Sequence, residues 1–149
     1  LDGIARGLAL RWASRALKGT HHLLEVGGDC YGAGRGPDGA PWRIGVHDPL
    51  EIGAPSPLAV LALSDAACAT ASAHAVRASG QLTGGGLLSV TVLGPDPVTT
   101  AVWSRVLLLA GASAIAEAAG RRRLAACWVT DDGSLRLSPA LEPSVLWRH

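Results

Sequence analysis

Apolar positions recur at two different spacings along the chain, and the switches between them give an order of elements. Leu1, Ile4, Leu8, Trp12 and Ala16 recur at helical spacing, with Arg6, Arg11 and Lys18 off that line and Arg15 at its edge. Residues 1–17 are therefore expected to form a helix with this stripe as its apolar face. Residues 21–26 read as a strand that delivers Gly27 and Gly28, and residues 32–39 carry turn chemistry. Residues 42–47 then alternate as a strand leaving a hairpin. The apolar run at residues 58–63 has the length of a buried strand, and residues 87–93 alternate as a β-branched strand. After the break Gly94-Pro95-Asp96-Pro97 a helix is expected over residues 98–109, with Gly111 as its stop. A second, alanine-rich helix over residues 112–123 closes on three arginines, where cations suit a helix C-terminus. A last strand over residues 124–129 is followed by the turn Asp131-Asp132-Gly133 and a hairpin arm at residues 135–137. Residues 79–86 read as a flexible loop, and residues 139–149 as a tail beyond a domain at residues 1–138. Because strands, hairpins and helices interleave without a regular βαβ repeat, the expected class is α+β, helices packed on a largely antiparallel sheet.

Composition narrows what such a domain can do. The 149 residues are enough for one domain with a sizeable core, which Ala, Val and Leu dominate since there is no Phe and one Tyr. A net charge of +1 from 13 basic and 12 acidic residues gives no global field for recruiting nucleic acid or an anionic membrane. Three scattered cysteines, Cys30, Cys68 and Cys127, lack metal or disulfide-framework spacing and read as buried thiols. No apolar run reaches the ~18 residues of a membrane span. The acids of Asp131 and Asp132 belong to a hairpin turn rather than to a calcium loop.

Candidate chemistry concentrates at residues 25–29. An apolar segment ending in two glycines and an acid lets backbone amides approach a ligand, because glycine has no Cβ and tolerates positive φ. Asp29 reads equally as an acceptor for that turn or as a ligand contact. Thr70 and Ser72 lie in an Ala-rich segment where hydroxyls either meet a ligand or bond their own backbone. Adjacent His21 and His22 point to opposite faces of a strand and do not share a metal. Arg6 is either a solvated helix charge or a site cation.

Taken together, Leu1 to Gly7, Gly27-Gly28-Asp29, Trp42-Arg43-Ile44-Gly45-Val46-His47-Asp48-Pro49, Ala69-Thr70 and Ser89-Val90-Thr91-Val92 follow one another in an order that resembles the FAD:protein FMN transferases, the ApbE-type flavin transferases. The resemblance implies a T-fold-type α+β architecture. It also implies transfer of FMN from FAD to a Thr or Ser of a partner protein, and a Mg²⁺ requirement. Family members are longer, so the chain is expected to correspond to their C-terminal half; the resemblance implies a membrane-associated or extracytoplasmic setting, and the sequence leaves the compartment open, a cytoplasmic one included. By the resemblance, Gly3, Arg6, Gly7, Gly27, Gly28, Asp29, Thr70 and Thr83 are the flavin-nucleotide contacts.

Two departures accompany the resemblance. The family's His-x-x-Asp-Pro-x-Thr-Gly segment survives only as Thr83-Gly84, with Arg77 in place of the His and His74 out of register. The family's Mg²⁺-binding Asp and Thr, four residues apart on one helix face, fall on Ala101 and Arg105, neither of which can ligate a metal. Arg105 is then the candidate catalytic group, laying its own positive charge on the pyrophosphate. Three readings stay open: an FMN transferase, a degenerate flavin-nucleotide-binding or interaction module, and an FAD pyrophosphate hydrolase. A homodimer is a further expectation, from apolar surface that the other half would cover.

Overall fold

The computed structural model describes residues 2–51, 53, 56–78, 80 and 85–149. It builds three layers: helices, a six-stranded sheet, and a three-stranded sheet. The first sheet runs in the order β1 (His22–Val26), β2 (Asp29–Ala33), β5 (Ala66–Ser72), β6 (Leu87–Gly94), β7 (Ala125–Thr130) and β8 (Leu135–Leu137), every neighbour antiparallel. The second contains β3 (Trp42–Val46), β4 (Ala59–Leu63) and β9 (Val145–Arg148), also antiparallel. This α+β class agrees with the sequence expectation.

Alternation along the central strands divides the core in two. Val90 and Val92 of β6, with Ala71 and Trp128, pack against Leu107, Leu108, Ile115 and Ala119 of the helices α3 (Pro97–Ala110) and α4 (Ile115–Arg122). Cys30, Cys68, Leu93 and Cys127 face the other way and pack against Val46, Leu61 and Leu63 of the second sheet. All three cysteines are buried and free. Cys30 and Cys68 stand opposite each other in the ladder, and their hydrogen bond holds the Cys68 thiol well above its ordinary range and lowers that of Cys30.

Helix α3 begins where the sequence places it. Asp96 caps it by accepting from Thr99 N, Pro97 occupies the first turn, and Gly111 ends it at φ 77°. The first helix, α1 (Asp2–Ala16), also forms, but rotated relative to the expected stripe. Gly7 and Leu10 are buried, whereas Ile4 and Trp12 are 42% and 63% exposed. The reason is close packing on α3. A Cβ added at Gly7 would stand 2.8 Å from Val98 Cα, so only glycine permits this approach. One turn on, Arg11 reaches Asp96 with two charge-assisted bonds, Nε to Oδ2 at 2.8 Å and Nη2 to Oδ1 at 2.5 Å.

Four further expectations are corrected. β3 does not pair with β2 as a hairpin; it crosses to the second sheet and pairs with β4. Residues 139–149 are not a tail, because a 3₁₀ turn (Glu142–Ser144) and β9 close the second sheet. A short helix, α2 (Ala73–Ala78), occupies a segment read only as motif remnant. The alanine-rich helix begins three residues later than expected, at Ile115. The loop expected at residues 79–86 falls largely outside the described residues.

The Arg11 guanidinium, through its hydrogen bonds, holds the Asp96 carboxyl down at about 2. A carboxyl depressed in the folded state contributes stability above its unfolded value near 3.8, and that stability is lost as pH falls through about 2. Urea denaturation between pH 5 and pH 2 is expected to show a steeper acid loss for the native chain than for Asp96→Asn. Gly7→Ala is expected to cost about 1–3 kcal/mol through overpacking at the helix crossing, read from the shift in urea midpoint.

Candidate functional site

Gly27 and Gly28 form the two-residue turn between β1 and β2, with φ 58° and 87°. Two successive positive φ values are the geometry of a type I′ hairpin turn, which explains why both positions are glycine. Space in front of Gly28 is open, since a Cβ built there meets no heavy atom within 4 Å. Gly27 is covered by the Arg6 side chain, whose Cδ would lie 3.0 Å from such a Cβ.

Arg6 and Asp29 are the charged pair of this corner. Cys30 faces the inter-sheet core, so the neighbouring Asp29 faces the helices. There its carboxylate is 3% exposed and lies 3.8 Å from Arg6 Nη1. Arg6 Nη1 also donates to the Gly27 carbonyl at 2.5 Å. Asp29 Oδ1 accepts from the backbone N–H of Thr70 on β5 at 3.2 Å. One buried acid thus joins helix α1, the glycine turn and the third strand of the sheet. An acceptor role confined to the turn would be local, whereas the bond from Thr70 N–H runs across strands.

Thr70 itself is exposed, and its hydroxyl lies 2.8 Å from that of Thr91 on β6. Thr91, 2% exposed, also bonds Cys127, whose thiol burial pushes up to about 12. The sequence marks Thr91 only as part of the Ser89 to Val92 alternation. Its position between Thr70 and Cys127 depends on the register of β5, β6 and β7, which no local signal carries.

The remaining candidates distribute as follows. Gly3 is in the first turn of α1, Gly7 is at the α1–α3 crossing rather than at the turn, and Thr83 lies outside the described residues. Contacts of Gly7 with Val98 and of Arg11 with Asp96 make α1 and α3 antiparallel. The beginning of α1 therefore lies beside the later turns of α3, which carry Ala101 and Arg105 one turn apart. Ala101 is 4% exposed and offers only a methyl group; Arg105 is half-buried and cationic. This donor set does not fit Mg²⁺. Among the described residues no cluster of three His, Cys, Asp or Glu could hold a metal.

His21 and His22 diverge as expected. His21 Nδ1 accepts from Arg35 N at 2.9 Å, while His22 lies within bonding distance of Thr20 and Ser14. Asp132 accepts from Thr130 Oγ1 and Ser134 N, the pattern of a turn residue. No helix among the described residues is long and apolar enough to cross a membrane.

The layered α+β fold aligns with those of solved flavin transferases. The apo flavinyl transferase ApbE of Pseudomonas stutzeri aligns with a TM-score of 0.78 at 23% identity, over 97% of this chain and 48% of that one. The flavin transferase ApbE of Vibrio cholerae aligns at 0.79 and 23%, over 95% and 51%. The apbe protein of Thermotoga maritima aligns at 0.80 and 22%, over 95% and 52%. The chain spans about half the length of these structures. A search of curated protein sequences finds no match. The ApbE family model matches residues 1–128, and the chain belongs to the ApbE family.

The corner makes a stability claim that is independent of any ligand. Arg6→Ala leaves the Asp29 carboxylate buried with fewer partners and is expected to cost about 1–3 kcal/mol in urea denaturation. Gly28→Ala meets no steric obstacle but must hold a positive φ, at a cost of about 1 kcal/mol.

Proposed function

We propose that this chain carries the flavin-nucleotide-handling part of an FMN transferase-like activity, with arginine in the place of the family's metal ligands. The observation that carries the reading is the family match over residues 1–128, together with the Arg6–Gly27–Asp29 corner. The substrate would be FAD and the acceptor a Thr or Ser hydroxyl of a partner protein. The acceptor oxygen would form a bond to the phosphorus of the FMN half as the bond to the bridging oxygen breaks. AMP would leave, and the hydroxyl proton would pass to solvent or base. Such a reaction depends on neutralising charge as it shifts to the leaving group.

The open face of Gly28 and the exposed Thr70 hydroxyl suit close approach of a nucleotide, with Gly3 and Thr83 as the further contacts the reading requires. Arg6 directs donors to Gly27 and Asp29, so its role would be to shape the turn. Arg105 is the group proposed to lay charge on the pyrophosphate, on the α3 face that begins with Ala101. Its half-buried position, one turn beyond Ala101 on α3, supports this role. A second reading, a flavin-nucleotide-binding module without turnover, is favoured by the same Ala101 and Arg105, whose side chains offer Mg²⁺ no ligand.

FAD binding, followed by flavin fluorescence quenching with and without Mg²⁺, tests the proposal on the native chain and on Arg105→Ala. The expected outcome is metal-independent binding that weakens by about 1.5–3 kcal/mol without the arginine. Flavinylation of an acceptor peptide would then assign transferase activity, release of FMN and AMP without acceptor would assign hydrolysis, and binding alone would assign the module. Failure to bind FAD in every condition would leave only common ancestry.

A further inference from the structure

One cavity lies away from the Gly27–Asp29 corner. It has a volume of about 580 Å³ and sits between α3, the starts of β5 and β7, and the 3₁₀ turn of the second sheet. Its walls are mainly apolar, with Val92, Leu93, Trp103, Leu124 and Pro143 among them. That volume falls in the range of small-molecule sites.

The polar groups on its wall differ in what they already do. Ser64 Oγ donates to Gly34 O, Asp65 Oδ1 accepts from Gly34 N, and the hydroxyls of Thr99 and Thr100 bond Asp96. Arg123 is different. Among the described residues its guanidinium has no hydrogen-bond or ion-pair partner. Its backbone is left-handed, φ 50° and ψ 40°, at the C-cap of α4, where its N–H bonds the carbonyls of Ala119 and Gly120. Glycine is the ordinary residue for that conformation.

Asp65 and Arg123 are the two non-glycine residues with positive φ among the described residues, and both line this cavity. The bond to Gly34 accounts for Asp65. Nothing local accounts for the side chain of Arg123, since the helix end already has Arg121 on Glu117 and Arg122 over Trp103, 4.9 Å from the ring centroid. Arg123 places positive charge on the wall of an apolar, Trp-lined cavity.

We infer that this cavity is a binding site for a small aromatic carboxylate, its ring among Leu93, Trp103 and Leu124 and its carboxylate on the Arg123 guanidinium. A planar fork of donors matches a carboxylate bidentately, which a lysine cannot do. The inference is independent of the flavin reading, because no residue proposed for FAD lines the cavity.

The probe for the test is 2-naphthoate, with uncharged 2-naphthamide as the control, titrated into the ¹⁵N-labelled chain. Saturable shifts of the Trp103 indole and of the Leu93 and Leu124 amides are expected with naphthoate. Arg123→Gly should weaken that binding at least about tenfold, the scale of a charge-assisted bond, without lowering the melting temperature, because glycine suits the cap. Arg123→Lys should fall between the two. Equal binding of naphthoate and naphthamide, or unchanged naphthoate binding by Arg123→Gly, would overturn the inference. So would shifts confined to the outer faces of α1 and α3. A lower melting temperature for Arg123→Gly would make the arginine a structural cap and overturn it as well.

Discussion

The buried carboxylate of Asp29 is the constraint on which this domain turns. An unpaired ionised acid inside a protein is costly, so its oxygens must meet donors. They do so from two directions, the Thr70 amide across the sheet and the Arg6 guanidinium from the helix layer. For Arg6 to face inward, α1 must turn that face to the sheet. The same rotation brings Gly7 against Val98 and Arg11 to Asp96, and it sends Ile4 and Trp12 outward. The position of the first helix thus follows from polar partners and one glycine.

That dependence explains which elements the sequence discloses. The strands at residues 58–63, 87–93 and 124–129 and the helix after Pro97 were legible because burial and period agree there. Helix α1 was legible as a helix, yet its buried face was not: hydrophobic periodicity assigns Ile4 and Trp12 inward, and the partners that oppose this lie 21 and 85 residues away. The partner of β3 was illegible for a related reason. An alternating strand after a glycine-rich turn fits a hairpin locally, and only the second sheet, closed by β9, supplies the competing edge.

The candidate site was legible as motifs and illegible as geometry. Gly27, Gly28 and Asp29 form one corner with Arg6. Gly7 belongs instead to helix packing, and its conformity to the family pattern has a sufficient steric reason of its own. Thr91 became visible only through the ladder that sets it between Thr70 and Cys127. Ala101 and Arg105 lie one turn apart on α3, and neither side chain is a metal ligand.

The outward stripe of α1 bears on how the molecule behaves in bulk. Ile4 and Trp12 stand in solvent on α1, and Val102, Val106 and Leu109 on α3, the helix beside it. The chain's isoelectric point is near 8.0, so at neutral pH it carries almost no net charge to hold copies apart. Colloidal behaviour is therefore set by short-range attraction between apolar helix faces. Added salt, which screens little here, strengthens that attraction by salting out.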